Sequence, residues 1–211
     1  MVRVMIVEDQ KIIRDLLETY IQNEDGYETV VSIPAARQAV EWCDAVQIDL
    51  ILMDVQTERH ENGLAAAEKI KRKHPNIRIV GVTSLVDHEV LRRARASGMD
   101  SFWYKDTDEE TLMDVVRRAM AGERVFPDAP PEVAIGSARS TDFTRTELKI
   151  LRYLVRGMSY NGIAEAMGIQ AGTVKFHISN MLQKTNLENK LQLALAVSNM
   201  KLVAELAEEE E

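Results

Sequence analysis

The sequence has one cysteine, four histidines and no apolar run of the roughly 18 residues that a membrane span requires. Cys43 therefore has no partner for an internal disulfide, and the scattered histidines cannot complete a Cys/His zinc site. The N-terminal residues Met1 to Arg3 lead into apolar residues without a signal-peptide pattern. These absences predict a cytoplasmic protein that does not associate with a membrane.

The sequence also has fewer basic than acidic residues, 26 against 34, so its net charge is −8. A negative net charge at first argues against a nucleic-acid partner. The charge is distributed unevenly, however. Residues 143 to 201 carry +5, the last ten residues carry −5 and residues 1 to 142 carry −8. The basic segment suggests a polyanion-binding module, although chance can also produce such unevenness in a small domain.

The length of 211 residues and the apolar content of 45% allow two globular domains. Residues 1 to 121 alternate short β-rich runs with helical patterns, which predicts a parallel sheet with helices on both faces. Residues 122 to 142 lose this periodicity and contain three of the five prolines, which indicates a linker. Residues 143 to 204 predict an all-α domain of four helices, and residues 205 to 211 an acidic tail.

The apolar patterns place the individual elements. The predicted strands are 2–7, 28–33, 50–53, 78–82 and 101–104. The predicted helices are 11–23, 35–45, 64–74, 87–96 and 108–121 in the first domain, and 144–156, 160–167, 172–185 and 190–204 in the second.

Charged and polar residues follow the strands, where ligands bind in open α/β sheets. Glu8 and Asp9 follow the first strand, Asp54 the third, Thr83 the fourth and Lys105 the fifth. Three carboxylates in one crevice repel each other unless a hard cation such as Mg²⁺ lies between them, while Lys and Thr can donate to an anionic group. If phosphoryl transfer occurs here, one carboxylate is the nucleophile. We assign that role to Asp54, which follows the most continuously apolar strand.

Each residue of this set has a simpler explanation when it is taken alone. Asp9 could cap the helix that begins near Lys11, and Thr83 could be an ordinary cap. Phe102 could be a core residue and Lys105 a solvated one. Their joint occurrence at the strand ends, in a consistent order, favours one shared site.

Taken together, these residues resemble the receiver domain of bacterial two-component response regulators. The matching features are the acidic pair Glu8-Asp9, Asp54 after Leu-Ile-Leu-Met, Thr83 followed by Ser84, Phe102, and Lys105. The resemblance implies a sheet of order 2-1-3-4-5 and an Asp54 that a sensor histidine kinase phosphorylates.

The same resemblance implies roles for the neighbouring residues. Mg²⁺ would be held by Asp9, Asp54 and the backbone carbonyl of Gln56, with Glu8 binding mainly through water. Thr83 and Lys105 would contact the phosphoryl oxygens, and Phe102 would rotate inward as Thr83 moves.

The chain departs from this family after Asp54, where Met-Pro is usual and Val55-Gln56-Thr57 stands instead. The altered loop before Gly63 leaves a second interpretation open, in which the receiver is a phosphorylation-independent protein–protein module. A phosphatase with an aspartyl nucleophile would need a second Asp at the position of Gln56, so we predict no enzyme activity.

The basic segment contains the spacing of a helix-turn-helix. Gly168 can supply the positive φ that ends the first helix, and Val174 can anchor the second. Helical periodicity turns one set of residues inward: Val174, Ile178, Met181 and Leu182. It leaves another set accessible: Gly172, Lys175, Phe176, Ser179 and Gln183. The accessible face could enter a major groove.

Three segments, 143–147, 157–164 and 172–184, resemble the LuxR-type DNA-binding domain, so the whole chain resembles the NarL/FixJ family. The resemblance implies that Lys175, Phe176 and Ser179 face the bases and that Thr173 and Lys184 contact phosphates. Phe176 could instead pack within its own domain.

Two further predictions concern this domain. Glu147 is expected to have a structural role rather than a DNA contact. A stripe that includes Leu191 and Leu195 could pair with a second copy at a two-fold promoter site, or pack internally.

Overall fold

The computed structural model describes residues 1–57, 61–85, 87–105 and 109–199. The chain forms two compact units, one built mainly from residues up to Ala129 and the other from Pro130 onward together with Leu85 and Asp87. Among the described helices, none is long and apolar enough to cross a membrane.

The first unit alternates strands and helices as predicted. Its strands are β1 (Val2–Val7), β2 (Tyr27–Ile33), β3 (Leu50–Asp54), β4 (Gln56–Thr57), β5 (Glu61–Asn62), β6 (Arg78–Thr83) and β7 (Ser101–Tyr104). Its helices are α1 (Lys11–Asn23), α2 (Ala39–Ala45), α3 (Gly63–Lys73), α4 (His88–Ala96) and α5 (Glu109–Met120). A short 3₁₀ turn, Ala36–Gln38, precedes α2 where one continuous helix was predicted.

Five parallel strands form the sheet, in the order β2-β1-β3-β6-β7. This confirms the predicted order 2-1-3-4-5 when only the five long strands are counted. Every residue of β3 is buried, because helices cover both faces of the sheet. Leu17 and Ile21 of α1 pack with Leu112 and Val116 of α5 into the core on one face.

A small hairpin follows Asp54, where the sequence predicted only an altered loop. β4 and β5 pair antiparallel, and Asn62 then caps α3 by accepting hydrogen bonds from the next backbone amides. Gly63 lies against the end of β3, where a Cβ atom would come within 2.0 Å of the Asp54 carbonyl oxygen. Glycine is therefore required at this close approach. The intervening residues 58–60 lie outside the described ranges.

The second unit contains the four predicted helices and a second hairpin. Its elements are β8 (Ala134–Ile135), β9 (Ala138–Arg139), α6 (Arg145–Val155), α7 (Tyr160–Met167), α8 (Ala171–Thr185) and α9 (Lys190–Asn199). Ile135 is fully buried in the core of this unit, so the segment predicted as linker contributes to its packing. Residues 200–204 of the fourth predicted helix and the acidic tail lie outside the described residues.

Local signals explain the ends of these helices. Thr144 and Glu147 form a capping box at the start of α6, and the Ser159 side chain caps α7. Gly168 ends α7 with φ of 64°, as predicted. The β8–β9 hairpin meets the end of α8, since the Ser137 N–H donates to the Thr185 carbonyl at 3.0 Å.

Candidate functional sites: an acidic pocket and a basic helix face

The acidic pocket lies at the carboxyl ends of the parallel strands. Glu8 follows β1, Asp54 ends β3 and Lys105 follows β7. The Lys105 Nζ atom lies 2.5 Å from Glu8 Oε2 and 2.9 Å from Asp54 Oδ2. All three side chains are buried, with exposed fractions of 8%, 0% and 6% for Lys105, Glu8 and Asp54. The structure thus brings together residues that are far apart in the sequence.

Thr83 lies on β6 and Phe102 on the neighbouring strand β7. Thr83 ends β6 and is buried, and its carbonyl accepts the Lys105 N–H at 2.8 Å. Phe102 is 1% exposed, so its ring is already inside in this conformation. Its rotation during phosphorylation stays a prediction.

Asp9 does not cap α1. The N-cap residue is Gln10, and its side chain makes no capping hydrogen bond. Asp9 Oδ1 is instead buried without a hydrogen-bond partner in the part of the chain that the structure describes. Carboxylate oxygens of Glu8, Asp9 and Asp54 lie within 4.8 Å of one another. The geometry therefore favours the metal-site interpretation of Asp9 over the helix-cap interpretation.

Burial and like charge together shape the titration of this pocket. Burial raises the pKa of Glu8 to about 7, and the nearby Asp54 charge adds to the effect. Burial likewise raises the pKa of Asp54, although Lys105 opposes the shift. Burial alone would lower the pKa of Lys105, but Asp54 and Glu8 outweigh it and raise that pKa. Among the described residues, the pocket has more carboxylates than cations.

The donor set fits Mg²⁺. Its three carboxylates offer oxygen ligands, and the buried Asp9 Oδ1 has neither a hydrogen-bond donor nor an ion-pair partner among the described residues. Gln56 stands beside the pocket, because its N–H donates to Asp54 Oδ1 at 3.2 Å. A metal contact from the Gln56 carbonyl stays a prediction.

The second site is the outer face of α8. Val174, Ile178 and Met181 are buried as predicted. The residues predicted to be accessible are all exposed, namely Gly172, Lys175, Phe176, Ser179 and Gln183. Thr173 is exposed as well. Phe176 is 61% exposed, which argues against the interpretation that it packs within its own domain.

Lys184 has partners inside its own unit. Its Nζ atom lies 2.9 and 2.8 Å from the two carboxylate oxygens of Glu147, and 3.0 Å from the Asp142 carbonyl oxygen. Three N–H donors thus meet three acceptors, so a DNA phosphate would have to displace one of them. The structural role predicted for Glu147 is confirmed, whereas the phosphate contact predicted for Lys184 competes with this ion pair.

Glu147 has the opposite titration behaviour to Glu8. Burial pulls its pKa upward, but hydrogen bonds from Lys184 and Thr144 outweigh burial, and the pKa lies below its ordinary value. The Thr144–Glu147 spacing gives a local capping-box signal in the sequence. The Lys184 partner is 37 residues away and has no such signal.

Helix α9 packs against its own unit on one side and leaves apolar residues exposed on the other. Leu193 and Val197 are buried in the core of the second unit. Leu191 and Leu195 are 66% and 55% exposed on the other side of the helix. An apolar stripe therefore remains outside the core.

Comparisons with known proteins identify both units. A family model described as the response regulator receiver domain matches residues 4–117. A second, described as bacterial regulatory proteins of the luxR family, matches residues 141–197. The chain belongs to the response regulator family.

This response regulator is 30% identical over 202 residues to the response regulator protein VraR of Staphylococcus epidermidis, covering 92% of this chain and 95% of VraR. It is 29% identical to VraR of Staphylococcus aureus over the same shares. Among solved structures, RcsB in two dimers bound to two parallel DNAs aligns with a TM-score of 0.59 and 16% identity, covering 93% of this chain and 98% of RcsB. The response regulator described here is thus a receiver joined to a luxR-type DNA-binding domain.

Proposed function

We propose that Asp54 accepts a phosphoryl group from the phosphohistidine of a sensor kinase, and that this event controls dimerisation and promoter binding in the cytoplasm. The observation that carries the proposal is the buried contact of 2.9 Å between Asp54 Oδ2 and Lys105 Nζ, beside two further carboxylates.

The chemistry needs few groups. An Asp54 oxygen attacks phosphorus as the nitrogen–phosphorus bond of the phosphohistidine breaks, which gives an acyl phosphate. Histidine leaves as the neutral imidazole if its other ring nitrogen carries a proton. Lys105 and the Thr83 hydroxyl stabilise the phosphoryl oxygens. Asp9, Asp54 and the Gln56 carbonyl would hold Mg²⁺, with Glu8 acting through water, and the ion would supply the remaining positive charge.

The exposed face of α8 carries the DNA-binding part of the proposal. Lys175 can donate to guanine O6 and N7, and Phe176 can contact a thymine methyl group. Ser179 lies on the same exposed face, one turn further along the helix. Thr173 can contact a phosphate near the start of α8. The fold shared with RcsB, which is described as bound to DNA, supports a DNA-binding role for this unit.

Dimerisation is the remaining element. A two-fold promoter site matches a two-fold protein, and the exposed Leu191 and Leu195 on α9 offer an apolar stripe for a second copy. RcsB is described as a dimer on DNA, which supports the same arrangement here.

Intact mass spectrometry tests the phosphoacceptor. Incubation with Mg²⁺ and a small phosphodonor should add one acid-stable, base-labile phosphoryl group to the wild-type chain. Asp54→Asn should remove it completely, whereas Asp44→Asn on the surface should not. Labelling that persists in Asp54→Asn contradicts the assignment. A wild-type chain that takes no phosphoryl group under any donor supports the alternative, a phosphorylation-independent protein–protein module.

A further inference from the structure

The segment after α5 is fastened along the edge of the sheet. Strand β7 is an edge strand, and its outer side pairs with Val125. The Phe102 N–H donates to the Val125 carbonyl at 2.8 Å, and the Val125 N–H donates to Ser101 Oγ at 3.0 Å. The Arg124 guanidinium reaches the Met99 carbonyl at 3.2 Å. The first part of the predicted linker therefore belongs to the first unit.

Phe126 holds this segment through side-chain contacts. Its ring stacks on Phe102 with centroids 6.1 Å apart and an interplanar angle of 19°. The Arg95 guanidinium lies 4.4 Å from the centre of the Phe126 ring, and its Nη2 donates to the Pro127 carbonyl at 3.1 Å. One aromatic ring is thus held between an arginine and a buried phenylalanine.

The anchor and the acidic pocket share a strand. Phe102 precedes Lys105 by three residues, and the Lys105 ammonium pairs with Asp54. A change in charge at Asp54 acts on Lys105 and therefore on the end of β7. Phe102, whose ring stacks on Phe126, belongs to this same strand.

We propose that Phe126 and Arg95 form a linker anchor, which restrains DNA binding in the unphosphorylated chain and loosens when Asp54 is phosphorylated. The second half of this statement rests on the proposed function. The first half concerns the anchor alone.

Chain length gives the restraint a physical basis. With Phe126 fixed, the tether runs from residue 127 to residue 132, because the Val133 N–H and carbonyl are both hydrogen-bonded to Ser140 of the second unit. These six residues span at most about 21 Å. Released from the end of α5, the tether contains the 12 residues from 121 to 132, or at most about 42 Å. Half-sites on DNA lie about 34 Å apart, so release widens the positions that two DNA-binding units can reach together.

The first experiment uses the full chain without a phosphodonor. In Phe126→Ala, amide hydrogen exchange at Val125 and Phe102 should be faster by about 5- to 30-fold, because a stacked ring and a cation–π contact are lost. The Kd for a promoter fragment should fall by a similar factor. Phe126→Leu, which keeps apolar volume but no ring face, and Arg95→Met should give smaller changes in the same direction.

Arg72→Ala, at an exposed arginine of α3, serves as the matched control and should change neither quantity. Tryptophan fluorescence confirms that each variant is folded, because both tryptophans, Trp42 and Trp103, belong to the first unit. A folded Phe126→Ala chain with wild-type exchange at Val125 overturns the anchor. Faster exchange with an unchanged Kd overturns the restraint on DNA binding.

The second experiment adds Mg²⁺ and phosphodonor to the wild-type chain, with intact mass as the record of phosphorylation. If the phosphoryl group is present, the Val125 and Phe102 amides should exchange faster, as in unphosphorylated Phe126→Ala. A phosphorylated chain with unchanged exchange overturns the coupling and leaves the proposed function intact. Absence of the phosphoryl group contradicts the proposed function instead, and the unphosphorylated variants then decide the anchor.

Discussion

Two lysines in this protein pair with glutamate, and the two surroundings differ. Lys105 is buried and serves two carboxylates, Glu8 and Asp54, with no other cation in the described part of the pocket. Lys184 is about one-third exposed and serves one carboxylate, Glu147, which also accepts hydrogen bonds from Thr144. Lys105 has two carboxylate partners, so negative charge is in excess there. Lys184 and Glu147 carry one charge each, so that pair is balanced.

The difference shows how one kind of contact serves two purposes. In the receiver, excess buried carboxylate is unfavourable in the free protein and would be relieved by a bound cation. In the DNA-binding unit, the balanced pair joins the end of α8 to the start of α6 and stabilises the packing of these two helices. The pKa values of Glu8 and Glu147 accordingly shift in opposite directions.

The largest expected effect is a pH dependence in the receiver. The folded pKa of Glu8 is raised to about 7 from an ordinary value of 4.5, so the folded state binds the additional proton between these values. Receiver stability should therefore fall as pH rises through this window in the absence of Mg²⁺, by at most about 3 kcal/mol. In Glu8→Gln the fall should be largely absent.

Tryptophan fluorescence during urea unfolding measures this effect, since both tryptophans report on the receiver. Glu28→Gln, at an exposed position of β2, is the control and should retain the wild-type pH dependence. An unchanged slope between pH 4.5 and 7 in Glu8→Gln would show that burial does not raise the pKa of Glu8.

The next effect concerns the exposed lysine of the recognition face. Lys175→Ala should cost about 1 to 3 kcal/mol in binding to the preferred promoter and relax specificity at one base pair. Lys149→Ala, an exposed lysine of α6, should leave that specificity unchanged. Titrations against specific and scrambled DNA separate the two outcomes. Equal weakening on both DNAs would make Lys175 a phosphate contact.

Substitutions in the Lys184–Glu147 pair should give a smaller effect, and this effect should be on protein stability rather than on DNA binding. Glu147→Gln or Lys184→Ala should lower the free energy of unfolding by about 1 to 2 kcal/mol, because the cap of α6 and the ion pair are weakened. The folded pKa of Glu147 is lowered, so this contribution is present above the ordinary pKa and is lost as pH falls through the folded value.

Circular dichroism detects this loss in the helical second unit. The salt dependence of DNA binding distinguishes the ion pair from the phosphate contact predicted for Lys184. If Lys184→Ala lowers the salt slope by about one unit, the lysine leaves Glu147 for DNA. An unchanged slope together with lower stability supports the internal role.

The smallest effect on stability is expected at Asp9. Asp9→Ala removes a carboxylate whose Oδ1 has no donor among the described residues, so the free energy of unfolding without metal should change by less than about 0.5 kcal/mol. Mg²⁺ binding, followed by titration calorimetry, should nevertheless weaken strongly. A marked loss of stability with unchanged Mg²⁺ affinity would return Asp9 to a structural role.

The long elements and the acidic pocket were predictable because their signals repeat or converge. The strand ends of a parallel sheet meet at one edge, so Glu8, Asp54 and Lys105 could be grouped without coordinates. The hairpins β4–β5 and β8–β9 were missed, since two-residue strands are too short to show alternation.

Contacts between residues far apart in the sequence could not be predicted either. Nothing local in the sequence indicates that Lys184 meets Glu147 or that Phe126 lies on Phe102, because both contacts depend on how finished elements pack. The role of Asp9 remained open for the same reason. Its carboxylate could cap a helix or face the pocket until the orientation of α1 was known.

The β8–β9 hairpin affects how the DNA-binding unit can be isolated or exchanged between regulators. Ile135 fills the core of this unit, and Ser137 donates to the carbonyls of Lys184 and Thr185 at the end of α8. A fragment cut at Phe143, where the family resemblance begins, loses these contacts and exposes apolar surface. Chimaeras should therefore be joined near Pro130, so that α8 keeps the hairpin that closes its last turn.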